Sequence, residues 1–196
     1  MSQGSSPFVI MGGLVEDKRL PQVQLLTEKA IYDAVLKMIQ SAKSEEHLDM
    51  AMFYLEMLEE LDLHDVHVIG HSLGGWIAAE MAVRNRTRIR DITLMAPAGL
   101  RKKGLQYADL FIQTPLERVN ALYADKRFVE AQLAKPLSEE DRDKLLKNWF
   151  ASAKLAWEPR GFSLVLPNWL HRIKNPVRLI WGKDDEIGRA SCRERV

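Results

Sequence analysis

Residues 66–83 read Val-His-Val-Ile-Gly-His-Ser-Leu-Gly-Gly-Trp-Ile-Ala-Ala-Glu-Met-Ala-Val. Val66 to Ile69 is a short β-branched run suited to a buried parallel strand. Gly70-His71-Ser72-Leu73-Gly74 is a Gly-x-Ser-x-Gly turn, and the small residues after it predict a helix from Leu73 to about Asn85. The five-residue pattern alone is weak. Its place between a buried strand and a small-residue helix gives it chemical meaning, because a sharp bend there makes a nucleophile elbow. Gly70 and Gly74 keep side chains away from the bend, so Ser72 can take a strained backbone with its hydroxyl exposed. The first free N–H groups of the helix, that of Leu73 among them, face the place where a carbonyl oxygen would gain negative charge. Ser72 is the candidate nucleophile and Leu73 the candidate oxyanion donor.

Before this stretch, Gln22 to Ile39 has helical periodicity through Ala30, Ile31, Ala34, Val35, Met38 and Ile39. After a polar break, a second helix is expected with Met50, Phe53, Tyr54, Met57, Leu58 and Leu61 on one face and Glu56, Glu59 and Glu60 on the other. That Met and aromatic stripe reads as core packing. After the elbow helix, Ile92 to Met95 is a strand that stops at Ala96-Pro97-Ala98-Gly99. Residues 105–158 carry no strand signal. They hold amphipathic pieces around Leu116–Leu122, Phe128–Leu133 and Glu139–Lys154, the last opened by Ser138 as an N-cap. Trp149, Phe150, Trp157, Phe162 and Trp169 form a dense aromatic run, expected to pack between these helices and the sheet. Val177 to Trp181 is a further strand. Buried strands alternating with helices imply an α/β class with a parallel sheet covered on both faces.

At 196 residues the chain suffices for one domain with a proper core. A net charge of +1 with no basic cluster argues against a nucleic-acid partner. No apolar run approaches the length of a membrane span. The opening Met-Ser-Gln-Gly-Ser-Ser-Pro lacks the basic and apolar regions of a signal peptide. A single cysteine excludes an internal disulfide and fits a reducing, cytoplasmic setting. No two histidines share close spacing on a helix, so no metal is expected, and no phosphate-binding or dinucleotide fingerprint suggests a cofactor. Residues 187–196, Ile-Gly-Arg-Ala-Ser-Cys-Arg-Glu-Arg-Val, look like a translated sequencing adapter and are set aside as a non-native tail. Without them the net charge becomes −1 and the cysteine, Cys192, is lost.

With these residues in view, the chain resembles the α/β-hydrolase superfamily, especially its esterase-like and carbon–carbon-bond hydrolases with a helical cap. The resemblance covers roughly residues 47–185. It rests on Gly70-His71-Ser72-Leu73-Gly74-Gly75, on Ala96-Pro97-Ala98-Gly99 and on Leu179-Ile180-Trp181-Gly182-Lys183-Asp184-Asp185. It implies a partial α/β-hydrolase fold: a mostly parallel sheet with flanking helices, a core of residues 1–104 and 160–186, and a helical cap over 105–159. The family's triad acid follows its strand at a Gly-x-x-Asp spacing, which selects Asp185, with Asp184 as its neighbour. Without the resemblance, the Lys183-Asp184-Asp185-Glu186 run equally suits a solvated face or a turn cap. A second oxyanion donor is implied in Val9-Ile10-Met11-Gly12-Gly13, at Met11 or Gly12, although the family's histidine is missing there. Too few residues separate this segment from the helix near 47 for the family's next strand and loop.

The family's triad histidine follows the acid. This chain has five histidines, His47, His64, His67, His71 and His171, and none follows Asp185. His64, His67 and His171 are expected at the wrong edge of the sheet, and His71 to point away from its neighbour Ser72. His47 would open a helix on the catalytic side, where an ordinary surface role suits it best. The expectation is therefore a truncated fragment without triad activity, whose uncovered sheet favours association. For the parent, the resemblance implies a cofactor-free serine hydrolase. Its substrate would be a small carboxylic ester, related carbonyl compound or carbon–carbon-bond substrate with an apolar or aromatic acyl group, with no nucleic-acid or membrane partner. The alternatives are a non-catalytic binding protein on the same scaffold, or an acyltransferase or perhydrolase in which another acceptor replaces water.

Overall fold

The computed structural model describes residues 8–11, 47–101, 109–134, 136–183 and 185. The expected helix over 22–39, Gly12, Asp184 and the 187–196 tail lie outside them. Four strands form one sheet in chain order: β1 (Phe8–Met11), β2 (Val66–His71), β3 (Ile89–Met95) and β4 (Val177–Ile180). Every neighbouring pair is parallel, so each connection must cross over the sheet. Helix α1 (His47–Glu60) leads into β2, and α2 (Leu73–Arg84) connects β2 to β3.

Alternation along β2 decides where the core lies. Val66, Val68 and Gly70 are buried, while His67 and Ile69 are only half-buried. The buried face meets Met50, Ala51, Tyr54, Leu55 and Leu58 of α1 and Ile77, Ala78, Met81 and Ala82 of α2, with Ile89, Ile92 and Leu94 of β3 completing the layer. Each large side chain fully buried here contributes about 1.5–3 kcal/mol. Burial also pushes the Tyr54 phenol above its usual range. Helix α2 is buried over ten of its twelve residues, from Gly74 to Val83. Glu80 is among them, and its carboxylate accepts from the Trp76 indole N–H at 3.2 Å and from the Arg84 guanidinium one turn on. That pairing is what permits a charge inside an otherwise apolar helix.

Three expectations are corrected. The core face of α1 is turned from the expected one: Ala51 and Leu55 are buried, and Leu61 is 43% exposed in the turn that follows the helix. Strand β3 begins at Ile89, three residues early. Asp91 is accommodated because it lies opposite His67 in the register and pairs with its Nδ1 at 2.8 Å. Burial on both faces fails at β4, an edge strand with all four residues exposed. Val177 and Leu179 lie opposite core residues Ile92 and Leu94, yet remain 46% and 65% exposed.

Between β3 and β4 come α3 (Pro115–Leu122), α4 (Lys126–Ala134), α5 (Glu139–Ala156), α6 (Leu166–Trp169) and a 3-10 turn (Leu170–Arg172). Thr114 and Glu117 form a reciprocal capping box at α3, and Ser138 caps α5 by accepting from Asp141 N–H at 3.1 Å. Helices α3–α5 bury little: no residue of α3, Val129 of α4 and Ala156 of α5. The aromatic run accordingly is not sheet packing. Phe150, Trp157 and Trp169 are exposed, and Trp149 and Phe162 are half-buried. Trp149 and Trp157 meet the Phe111 ring instead, and arginine guanidinium groups lie over Trp149, Trp157 and Phe162. Among the described residues, no helix is long and apolar enough to cross a membrane, and no three His, Cys, Asp or Glu side chains gather as a metal site.

Candidate active site

Ser72 joins β2 to α2 with φ 51° and ψ −118°, a conformation that a side chain with a Cβ adopts only under constraint. Two sets of hydrogen bonds supply the constraint. Its N–H donates to the Met95 carbonyl at the end of β3, at 3.0 Å. Its carbonyl accepts from Gly75 N–H at 3.0 Å, Trp76 N–H at 3.2 Å and Ala98 N–H at 3.0 Å. The strand and helix cross at contact distance. A Cβ on Gly70 would lie 2.4 Å from the Gly74 carbonyl oxygen, and one on Gly75 would lie 2.7 Å from the Pro97 Cβ. Gly70 thus supplies the clearance expected of it, and Gly75 adds to it on the helix side. Ser72 is half-buried at the surface of this bend. The Leu73 N–H starts the helix and has no backbone acceptor among the described residues.

In the sequence, the segment after β3 stops the strand and carries part of the family resemblance. It also builds the elbow, since Ala98 holds the Ser72 carbonyl while Ala96 N–H donates to the Ile180 carbonyl at 2.9 Å. Gly99, at φ 95°, lies flat against the Trp76 ring, where a Cβ would come within 2.4 Å of the indole. The signal was present in the Pro97 and Gly99 pair, but its contact with residue 72 is not local in sequence.

His71, Met95 and Ile180 lie in register at the carboxyl ends of β2, β3 and β4. Ser72 follows the first of these and Asp185 follows the last, so both stand off the same rim with β3 between them. Two strand spacings are about 10 Å. A histidine bridging a serine and a carboxylate spans roughly 8 Å, counting its ring and two hydrogen bonds. Asp185 is half-buried, and its N–H turns back to the Gly182 carbonyl at 3.2 Å. Met11 pairs with Gly70 at the carboxyl end of β1, so the strand order places it on the side of Ser72 away from Asp185.

The histidines divide by edge. His64 approaches β2 at its amino end, within 3.0 Å of Asp62 and 3.1 Å of Arg88. The His64 contact, and a 3.5 Å hydrogen bond from the Arg88 guanidinium, hold the Asp62 carboxyl below its usual range. His67 pairs with Asp91 on the sheet, and His171 sits exposed in the 3-10 turn before β4. His71 is exposed and peptide-bonded to Ser72. His47 begins α1, whose far end feeds the amino end of β2, so about 20 Å of helix carries its backbone toward the other rim.

Strain at residue 72 makes a stability prediction. Ser72→Gly is expected to raise stability by about 1 kcal/mol, relief of the positive-φ conformation outweighing the extra freedom of glycine in the unfolded chain. A urea midpoint that stays or falls would show that the bend stores no strain.

The fold and this geometry define a class: an α/β protein with a serine on a strained strand-to-helix bend and a carboxylate on the same rim of a parallel sheet. The model of the alpha/beta hydrolase family matches residues 41–196, and the chain belongs to that family. It is 29% identical over 149 residues to the 2-hydroxy-6-oxononadienedioate/2-hydroxy-6-oxononatrienedioate hydrolase of Cupriavidus pinatubonensis, covering 67% of this chain and 50% of that protein. It is 31% identical over 90 residues to the dihydrolipoyllysine-residue acetyltransferase component of the acetoin cleaving system of Cupriavidus necator, covering 43% and 24%. The chain thus spans half the length or less of these curated relatives. A solved bromoperoxidase from Bacillus anthracis shares the fold alone, with a TM-score of 0.55 over 95% of this chain and 79% of its own, at 16% identity.

Proposed function

We propose that the protein containing this chain is a serine-dependent hydrolase of small carbonyl compounds. The observation that carries the reading is the backbone of Ser72, held at φ 51° with a helix N–H beside it. Ser72 attacks the carbonyl carbon as a histidine takes its proton. Asp185 orients that histidine and stabilises its charged form. The Leu73 N–H receives the oxyanion, with Met11 or Gly12 as second donor. For an ester the alcohol leaves, an acyl-serine remains and water clears it. The relative that hydrolyses an oxo-dioate supports ketone substrates with a cleavable carbon–carbon bond beside esters. The helices of the 105–159 segment act as a cap over the rim, offering an apolar or aromatic surface to the acyl group. The acetyltransferase relative favours a second reading, transfer of the acyl group to an acceptor other than water.

Because no histidine follows Asp185 in these 196 residues, we expect the chain alone to lack triad turnover. The measurement is hydrolysis of a para-nitrophenyl ester by the chain and by its Ser72→Ala variant, which should not differ. Turnover that disappears in the variant would place a working base within the chain and overturn this expectation.

A further inference from the structure

The helical excursion α3–α5 leaves the sheet after β3 and returns before β4, and its two crossings meet in space. Asp109, on the way out, contacts Arg160, on the way back, 51 residues later. The guanidinium donates to Asp109 Oδ2 at 2.5 Å. The other carboxylate oxygen, Oδ1, accepts from Phe111 N–H at 3.0 Å. One aspartate therefore fixes both the returning arginine and the backbone of Phe111. The Phe111 ring stands 5.1 Å from that of Trp149 and 5.7 Å from that of Trp157, and the Arg160 guanidinium lies 4.0 Å over the Trp157 ring.

Phe111 has a second set of neighbours. It packs on the small core around Trp76 and Ala79 of α2, the same core that Leu73 and Ala98 pack against. Those two residues carry N–H groups of the elbow. The returning segment is tied down as well: Gly99 N–H donates to the Gly161 carbonyl at 3.0 Å, and Ser163 N–H donates to the Gly99 carbonyl at 2.8 Å. A continuous path thus runs from the ion pair through Phe111 to the elbow. The helices beyond it bury almost nothing of their own. Apart from Leu155 and Ala156 at the end of α5, which pack on the two cores, their attachment to the sheet runs through this junction.

We propose that the Asp109–Arg160 pair is a salt-sensitive latch that closes the base of the helical excursion and seats Phe111 beside the elbow. Both side chains are about one-third exposed, so added salt screens the pair, whereas a fully buried pair would be insulated. The packing of Phe111 and Trp157 is apolar and does not weaken with salt. Ionic strength therefore opens the latch without dissolving the sheet core. The inference is independent of the hydrolase reading, because its readout needs no turnover.

The test is amide hydrogen exchange of the 196-residue chain at low salt and at molar sodium chloride. Peptides from α3–α5 are expected to exchange about fivefold faster at high salt, while those of α1, β2 and α2 are unchanged. Asp109→Asn should exchange rapidly in α3–α5 at both salt concentrations. Arg160→Lys, which keeps the charge but loses the planar contact with Trp157, should fall between and retain salt sensitivity. Equal exchange of α3–α5 in the parent chain and Asp109→Asn would overturn the latch. So would an acceleration as large in β2 as in α5, which would indicate general loosening.

Discussion

In a protein that carries this chain with a histidine downstream of Asp185, Ser72→Ala is expected to lower ester turnover by on the order of 10⁴- to 10⁶-fold. The loss should fall on kcat, with KM little changed, because the hydroxyl contributes the bond-forming oxygen and almost no ground-state binding. What survives is the oxyanion site and the pocket. Stability is a built-in control, since alanine keeps the same positive-φ strain and the variant should melt like its parent. Asp185→Asn should cost about 10⁴-fold, through loss of histidine orientation, while Asp184→Asn should leave turnover near the parent's. A reversal of those two would move the acid by one residue. Turnover of Ser72→Ala within tenfold of the parent would end the serine mechanism.

The second large effect concerns stability. Gly70→Ala is expected to destabilise the fold by about 3 kcal/mol, at the upper end of overpacking costs. The new methyl would meet the Gly74 carbonyl oxygen at 2.4 Å and its carbon and the Gly75 Cα at 2.7 Å each. All three are backbone atoms, so no side-chain rotation relieves the overlap, and β2 must move away from α2. That is a large part of a typical domain's net stability. With an ordinary urea dependence, the midpoint should fall by roughly 1–2 M. Gly161 provides the comparison: it has φ 66° but open space around it, so Gly161→Ala should cost only about 1 kcal/mol of backbone strain. Equal midpoints for the two variants would mean that strand and helix do not cross so closely.

What was legible in the sequence was whatever short-range pattern determines. The elbow, the strand before it, the helix after it and the Ser138 cap depend on neighbours within a few residues, and their types gave them away. Asp185 came from the family resemblance, whose Gly-x-x-Asp spacing it meets at Gly182, and it follows β4 as Ser72 follows β2. The misses have one physical source, contacts between residues far apart in the chain. The strand expected from Ile92 reaches back to Ile89, and Asp91 finds its place in it only through His67 opposite. The burial of Leu55 in place of Leu61 depends on where α1 ends. The five aromatics of 149–169 read as core because aromatics usually are, whereas Trp149 and Trp157 spend their faces on Arg118, Arg160 and Phe111. The exposure of β4 depends on what covers it, and no property of Val177 to Ile180 reveals that.

The four hydrogen bonds on the Ser72 peptide units have a dynamic corollary. With N–H and C=O both moored, φ and ψ of this residue have no room to wander, and the hydroxyl keeps a single degree of freedom, rotation about χ1. Three staggered wells are then its whole search space, and choosing one costs at most about 0.7 kcal/mol of entropy. The aiming of this oxygen is completed when the chain folds, before any ligand arrives.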